Sequence, residues 1–264
     1  MLKDITIGQY VPGESSIHNM DPRTKIISVV LFMVGLFMAN SLYGYVLVTL
    51  FTIAIILISQ IPPLMLIKGI RPLWIILVLT LGLHIFMTEG QIIWQWGFLK
   101  ITYEGLRQGV FMALRLVYLV TITSLLTLTT TPILLTDGIE SVLKALFIPV
   151  AHELAMMMTI ALRFIPTLIE ETEKIMKAQM ARGADFESGG LIARAKSLIP
   201  LLVPLFLSSF RRADELAMAM EARCYRGGEN RTRMKQLKMY GRDYFAFIVM
   251  FTFVGISFFF RNGV

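Results

Sequence analysis

The sequence predicts an all-α membrane protein, with about five transmembrane helices and, ahead of the last one, a cytoplasmic or interfacial module of long helices. Three observations carry this. Of the 264 residues, 56% are apolar and 16% charged, against roughly 25% charged in an ordinary soluble domain. The mean hydropathy is +0.69. The longest uncharged run is 42 residues, Ile26 to Ile67, whereas a bilayer core of ~30 Å needs about 20 helical residues. These features exclude a disordered chain, a coiled coil and a soluble enzyme on an ordinary core. A single cysteine, Cys224, excludes an internal disulfide and a Cys-rich metal site.

The spans can be justified in order. Asp21-Pro22 offers an N-cap followed by proline at the first helical position, so helix one is expected from Pro22 to about Asn40. The turn residues Asn40, Ser41 and Gly44 divide the long run. Helix two then runs from about Tyr43 to Ile61, stopped by Pro62-Pro63. Helix three occupies Pro72–Thr88 and helix four about Gln108–Thr131, with Arg115 inside it. The last span is Tyr244–Phe260, between Arg242 and Arg261. Such short spans rely on interfacial aromatics and snorkelling arginines. The first 25 residues are polar and lack the apolar run of a signal peptide, so helix one is expected to direct insertion. The chain divides into 1–131, the N-terminal tail with helices one to four; 132–243, the helical module; and 244–264, the C-terminal transmembrane helix.

Five spans put the termini on opposite sides. Residues 132–243 hold 16 of the 25 Lys and Arg, and Arg223–Arg242 has seven bases and one acid. Lys68 and Arg71 lie between helices two and three. The neutral loop between helices three and four carries Trp94 and Trp96, suited to an outer aromatic belt. The positive-inside rule places the N-terminus and residues 132–243 in the cytoplasm. Arg23 and Lys25 oppose the dipole of helix one, and orientation is a sufficient reason for them. The 223–242 run lacks interleaved aromatics beyond Tyr225 and Tyr240, so anionic lipid and topology explain it more simply than nucleic acid.

The longest uncharged run in 132–243 is fourteen residues, Ser197–Phe210, too short to cross. The segment is nevertheless too apolar for a solvated linker, and reads as long helices on or below the membrane. They are expected at about Pro132–Phe147, Ala151–Arg182 and Leu191–Tyr225. Leu154, Met158, Ala161, Ile165, Leu168 and Ile175 form the stripe of the second, with i,i+4 pairs Glu170–Lys174 and Glu173–Lys177 opposite. Ile199, Leu202, Phe206, Phe210, Ala213, Ala217 and Met220 form the stripe of the third. Pro166, Pro200 and Pro204 predict kinks.

Two of these helices end alike: Ala181-Arg182-Gly183, followed by Gly189-Gly190, and Ala222-Arg223-Cys224, followed by Gly227-Gly228. Either they are two similar docking tips, or arginine merely suits a helix C-terminus and glycine merely caps it.

In these residues the chain resembles the T component of energy-coupling factor (ECF) transporters, the transmembrane coupling subunit of vitamin importers. Ala181-Arg182-Gly183 and Ala222-Arg223-Cys224 are similar to that family's paired Ala-Arg-Gly signatures. Residues Ser16 to Lys25, with Asp21-Pro22-Arg23, resemble its approach to helix one, and Thr129-Thr130-Thr131-Pro132 fits the exit of helix four. Cys224 departs from the pattern, which has glycine, and implies that the second tip is capped differently. The resemblance implies that 132–243 is a coupling-helix module whose tips (Ala181, Arg182, Gly183 and Ala222, Arg223, Cys224) bind two ABC-type ATPase subunits. It also implies a prokaryotic plasma membrane and a separate substrate-binding membrane subunit, the S component, exchangeable if one scaffold serves several. Met156, Met157 and Met158, with Met218 and Met220, would give that subunit a soft contact surface; core filling is the other reading of these methionines.

No G-x-x-x-x-G-K-[ST] run occurs, so ATP binding by a P-loop is not expected. His18, His84 and His152 lack metal-ligand spacing, and no G-x-S-x-G elbow appears. No cofactor, metal or catalytic residue is expected, and ATP hydrolysis would fall to the partners. Arg115 is the one charge deep in a span. It is either functional or structural, snorkelling to the outer interface or meeting a neighbouring carbonyl. A self-contained secondary transporter is the alternative, but it would need a midplane site and internal repeats, and no repeat relates the spans.

Overall fold

A computed structural model describes residues 10–96, 99–186, 190, 192, 196–228 and 236–262. Its helices are α1 (Pro22–Met38), α2 (Leu42–Ser59), α3 (Pro63–Ile70), α4 (Trp74–Met87), α5 (Tyr103–Thr129), α6 (Pro132–Ala145), α7 (Ala151–Ala181), α8 (Ile199–Ala222) and α9 (Gly241–Asn262). Among the described residues the fold is all-α apart from one hairpin. Two compact units are formed. One comprises the described residues of Gly8–Ile139 and Gln236–Val264, the other those of Glu140–Lys235.

Among the described residues, five helices are long and apolar enough to cross a membrane: Leu42–Ser59, Pro63–Met87, Tyr103–Thr129, Ala151–Ala181 and Gly241–Phe260. Four of them correspond to expected spans; α1 is absent from the set, and α7, expected in the cytoplasmic module, is in it. α1 has 17 residues, about 26 Å of helix, just under a full hydrocarbon core. Asp21 caps one end and Ala39 turns to extended backbone at the other. α7 has the length to cross because its charges gather between Glu170 and Lys177, leaving a mostly apolar first half. Helix three is longer than its uncharged run, since α3 continues into α4 through the 3-10 turn Arg71–Leu73.

In the first unit, α1 packs along α9 and α5, and α4 lies against α5. Phe32, Leu36 and Val48 have no exposed surface. Phe253 stacks on Phe32 at 5.6 Å and on Phe51 at 4.4 Å. Such ring pairs contribute about 1 kcal/mol beyond burial. Lipid tails are as apolar as leucine, so contact quality rather than water exclusion holds these helices together. Glycines set that contact. Gly105 and Gly109 lie on one face of α5, where a Cβ would come 2.6 Å from the His84 carbonyl oxygen and 3.3 Å from that of Leu81.

The neutral loop expected between helices three and four contains an antiparallel hairpin, β1 (Ile92–Trp96) and β2 (Leu99–Thr102), with Trp96 opposite Leu99. Ile92, Ile93 and Trp94 are β-branched and aromatic, which favours a strand. α5 begins at Tyr103, ahead of the expected Gln108, because the Thr102 hydroxyl accepts the Gly105 N–H at 3.1 Å and caps the helix. Arg115 Nη2 donates to the Ala39 carbonyl at 3.2 Å and to Asn40 Oδ1 at 3.4 Å, and its guanidinium lies 5.1 Å over the Phe37 ring. It therefore fastens α5 to the end of α1, the structural of the two readings.

A buried polar knot joins the starts of α1 and α9 to the end of α5. Asp243 is fully buried. Its Oδ1 accepts the Asp21 N–H at 2.9 Å and its Oδ2 the Tyr240 N–H at 2.8 Å. One carboxylate thus serves orphan donors at two helix N-termini, where negative charge is favoured. Asp21 itself caps α1 through the Arg23 N–H at 2.9 Å. Lys25 is buried, and its Nζ donates to the carbonyls of His18 at 3.1 Å and Thr129 at 2.9 Å and to Thr130 Oγ1 at 3.1 Å. Sequence reading gave Lys25 only a role in orientation. Its ammonium also ties the last turn of α5 to the first turn of α1.

Two outcomes are expected. A Cβ on Gly35 would lie 2.6 Å from Phe253 Cε1, so Gly35→Ala should destabilise the first unit by about 1–3 kcal/mol, with partial recovery in Gly35→Ala/Phe253→Leu, read from detergent unfolding. Lys25→Met should cost about 3 kcal/mol by leaving buried carbonyls without a donor. The same unfolding curves would exclude this if they shifted no more than for an exposed lysine.

Candidate functional site

In the second unit, α7 and α8 run side by side in opposite directions. Met156 and Ile160 of α7 line a groove of about 420 Å³ with Leu216 and Met220 of α8. Farther along, the Glu171 carboxylate accepts from the Ser208 hydroxyl and from Arg212 Nε at 3.1 Å, with Arg212 Nη2 at 3.0 Å. At the far end Gln179 Nε2 donates to the Pro200 carbonyl at 3.4 Å. The expected pairs Glu170–Lys174 and Glu173–Lys177 are not among the ion pairs of the described residues; the ion pair on this part of α7 runs between helices. Each helix therefore ends beside the start of the other. With 24 residues in α8, the two C-terminal tips stand roughly 35 Å apart.

Prolines set the helix limits. Pro166 and Pro204, where kinks were expected, lie inside α7 and α8, and Pro200 is in the first turn of α8. The third helix was expected from Leu191; Ile192, Lys196 and Ser197 are helical, a turn at Leu198 interrupts the helix, and α8 begins at Ile199, where Pro200 has no N–H to offer the Lys196 carbonyl. Leu191 and residues 193–195 lie outside the described residues, as do Gly189 and 229–235 of the basic run.

The two tips close in the same way. At the first, Arg182 is the C-cap and Gly183 has φ +89°. The Gly183 N–H donates to Met180 O and the Ala184 N–H to Gln179 O, both at 3.0 Å. At the second, Arg223 is the C-cap and Cys224 has φ +53°. The Cys224 N–H donates to Glu221 O at 2.8 Å and the Tyr225 N–H to Met220 O at 3.0 Å. Both are Schellman caps. The expectation that Cys224 demands a different cap is thereby corrected. The cysteine adopts the left-handed conformation, which costs about 1–2 kcal/mol outside glycine. Ala181, Arg182, Gly183, Ala222, Arg223 and Cys224 are all exposed.

The five methionines do not form one surface. Met156 and Met220 meet in the groove beside Arg223, Met158 is half-buried, and Met157 and Met218 point outward, 55% and 61% exposed. The stripe Ile199, Leu202, Phe206 and Phe210 is exposed along α8, so it is not spent on packing within the unit. The histidines are engaged by hydrogen bonds: His18 with Ser15 and Val11, His84 with Thr80, His152 with Glu140 and Tyr225.

A family described as cobalt transport protein matches residues 13–234, a range that contains both tips and the Asp21-Pro22 cap. The chain belongs to this family of membrane transport proteins, as a transmembrane subunit of the energy-coupling factor type. It is 63% identical to the energy-coupling factor transporter transmembrane protein EcfT of Thermosediminibacter oceani over 94% of each chain. The proteins of the same name from Clostridium kluyveri and Bacillus subtilis are 59% and 53% identical, over 97% of each chain for the first and over 99% of this chain and 100% of the relative for the second.

The positive φ at Cys224 yields a test. Cys224→Gly should stabilise the cap by about 1 kcal/mol and Cys224→Val should weaken it by at least as much. Hydrogen exchange at the Tyr225 amide, slower in the first variant and faster in the second, would measure this.

Proposed function

We propose that this chain is a non-catalytic scaffold through which two ABC-type ATPase subunits drive a separate substrate-binding membrane subunit. The observation that carries the proposal is the pair of exposed arginine tips, identically capped, at opposite ends of the antiparallel α7 and α8. Arginine offers a planar five-donor fork that pairs bidentately with carboxylates. Fixed at the end of a rigid helix, it passes on displacement better than it would from a loop. A separation of roughly 35 Å suits two separate motors, one at each tip.

The remaining assignments follow from this scaffold. The N-terminus and the α6–α8 module lie on the cytoplasmic side of a prokaryotic plasma membrane, α7 lying along that face although it is long enough to cross, with the α1 start, the α9 start and the α5 end at the inner face. Residues 132–243 serve as the coupling-helix module. The exposed stripe of α8, with Met157 and Met218, meets the substrate-binding subunit or lipid. The cargo is set by that subunit. A self-contained permease is not favoured by the names of the relatives.

Arg182→Glu with Arg223→Glu tests this directly. In the complex purified with its neighbours, the double reversal should lower ATPase association at least about tenfold and abolish uptake, each single reversal affecting one ATPase position. Unchanged association and uptake in the double variant would refute the proposal.

A further inference from the structure

Beyond the second tip, the chain is tied back to the start of its own module. The Tyr225 hydroxyl lies 3.2 Å from His152 Nε2, and His152 Nδ1 lies 3.1 Å from Glu140 Oε1. Glu140 is 3% exposed and also pairs with Lys144 at 2.8 Å. An ionised carboxylate only accepts, so Nδ1 carries a hydrogen toward Glu140, and in the neutral ring Nε2 accepts the Tyr225 O–H. Gly228 presses on the same ring, where a Cβ would come 2.5 Å from His152 Cδ2. Three elements thus converge on one imidazole: α6, the first turn of α7 and the segment that leaves the Arg223 cap.

We infer that Glu140, His152 and Tyr225 form a latch that fixes the direction of the Arg223 tip, with His152 and Tyr225 as positioning residues acting through the cap. The inference rests on the docking role proposed for Arg223. Tyr225 supplies two connections at once: its N–H closes the Schellman cap on Met220, and its hydroxyl anchors that cap to α7. Releasing the hydroxyl leaves the cap formed but free to swing. Chains of such bonds polarise one another, so losing one link weakens the rest.

The full chain supplies its own probe, because its single cysteine, Cys224, is exposed and lies between Arg223 and Tyr225. A nitroxide on Cys224 should gain mobility in Tyr225→Phe, His152→Ala and Glu140→Ala. Glu140→Gln, which keeps an acceptor oxygen, should restore the wild-type spectrum. A label at Ala184→Cys in a Cys224→Ser background, on the first tip, should not respond. Unlabelled Tyr225→Phe complex should bind its ATPases about fivefold more weakly, the worth of one hydrogen bond. An unchanged Cys224 spectrum in Tyr225→Phe and His152→Ala overturns the latch. A mobilised tip with undiminished association, while Arg223→Glu still weakens it at that ATPase position, overturns the positioning role. A mobilised tip with association indifferent to Arg223→Glu as well counts instead against the docking role, leaving the latch as a clamp.

Discussion

The ammonium of Lys25 cannot sit in a low-dielectric helix bundle without partners, since an unpaired buried charge costs several kcal/mol. Three oxygens meet it, two of them at the last turn of α5, and the carboxylates of Asp243 and Asp21 attract its charge through space. The requirement propagates. Asp243 is buried, which keeps that attraction from being screened, and the start of α9 brings it to the start of α1. The α5 end must present its carbonyls to the same point. Once this arrangement is met, the directions of α1, α5 and α9 are fixed relative to one another, and Phe253 comes to stack over Gly35. The knot therefore determines which apolar faces meet, a task that apolar faces surrounded by lipid perform poorly on their own.

The two tips follow a different economy. Nothing buries them, and their caps are closed by backbone hydrogen bonds at the ends of two helices. Glycine at the first and cysteine at the second reach the same left-handed conformation, so the sequence difference leaves the geometry unaltered and shifts only the local stability. The second tip carries the strain of a side chain in that conformation, and it is also the tip tied down by Tyr225.

Sequence reading found the α-helical class, the boundaries of α1, α2 and α7 within a few residues, and both tips, because apolar run length and helix-end residues are local signals. It missed the hairpin, whose two short strands sit in a loop that a search for spans passes over. It ran one helix through Pro200, where the chain is helical at Lys196 and Ser197, turns at Leu198 and starts α8 afresh at Ile199 with the proline in its first turn. It assigned Cys224 an unlike cap, since residue type alone favours glycine there and the backbone outcome is decided by the hydrogen bonds available. Lys25, Asp243 and the Glu140–His152–Tyr225 chain were not legible at all. Their long-range bonds join residues between 12 and 222 positions apart, and no periodicity connects them.

The antiparallel arrangement of α7 and α8 has a mechanical consequence. A rod pushed at one end slides, but a rod loaded at both ends in opposite senses experiences a couple and turns about its centre. Here each lever arm would be about half the helix length, roughly 18 Å. Small displacements at the ends would then become rotation of the greasy middle stretch that carries Phe206 and Phe210, and torque, more than thrust, would be the quantity this module delivers.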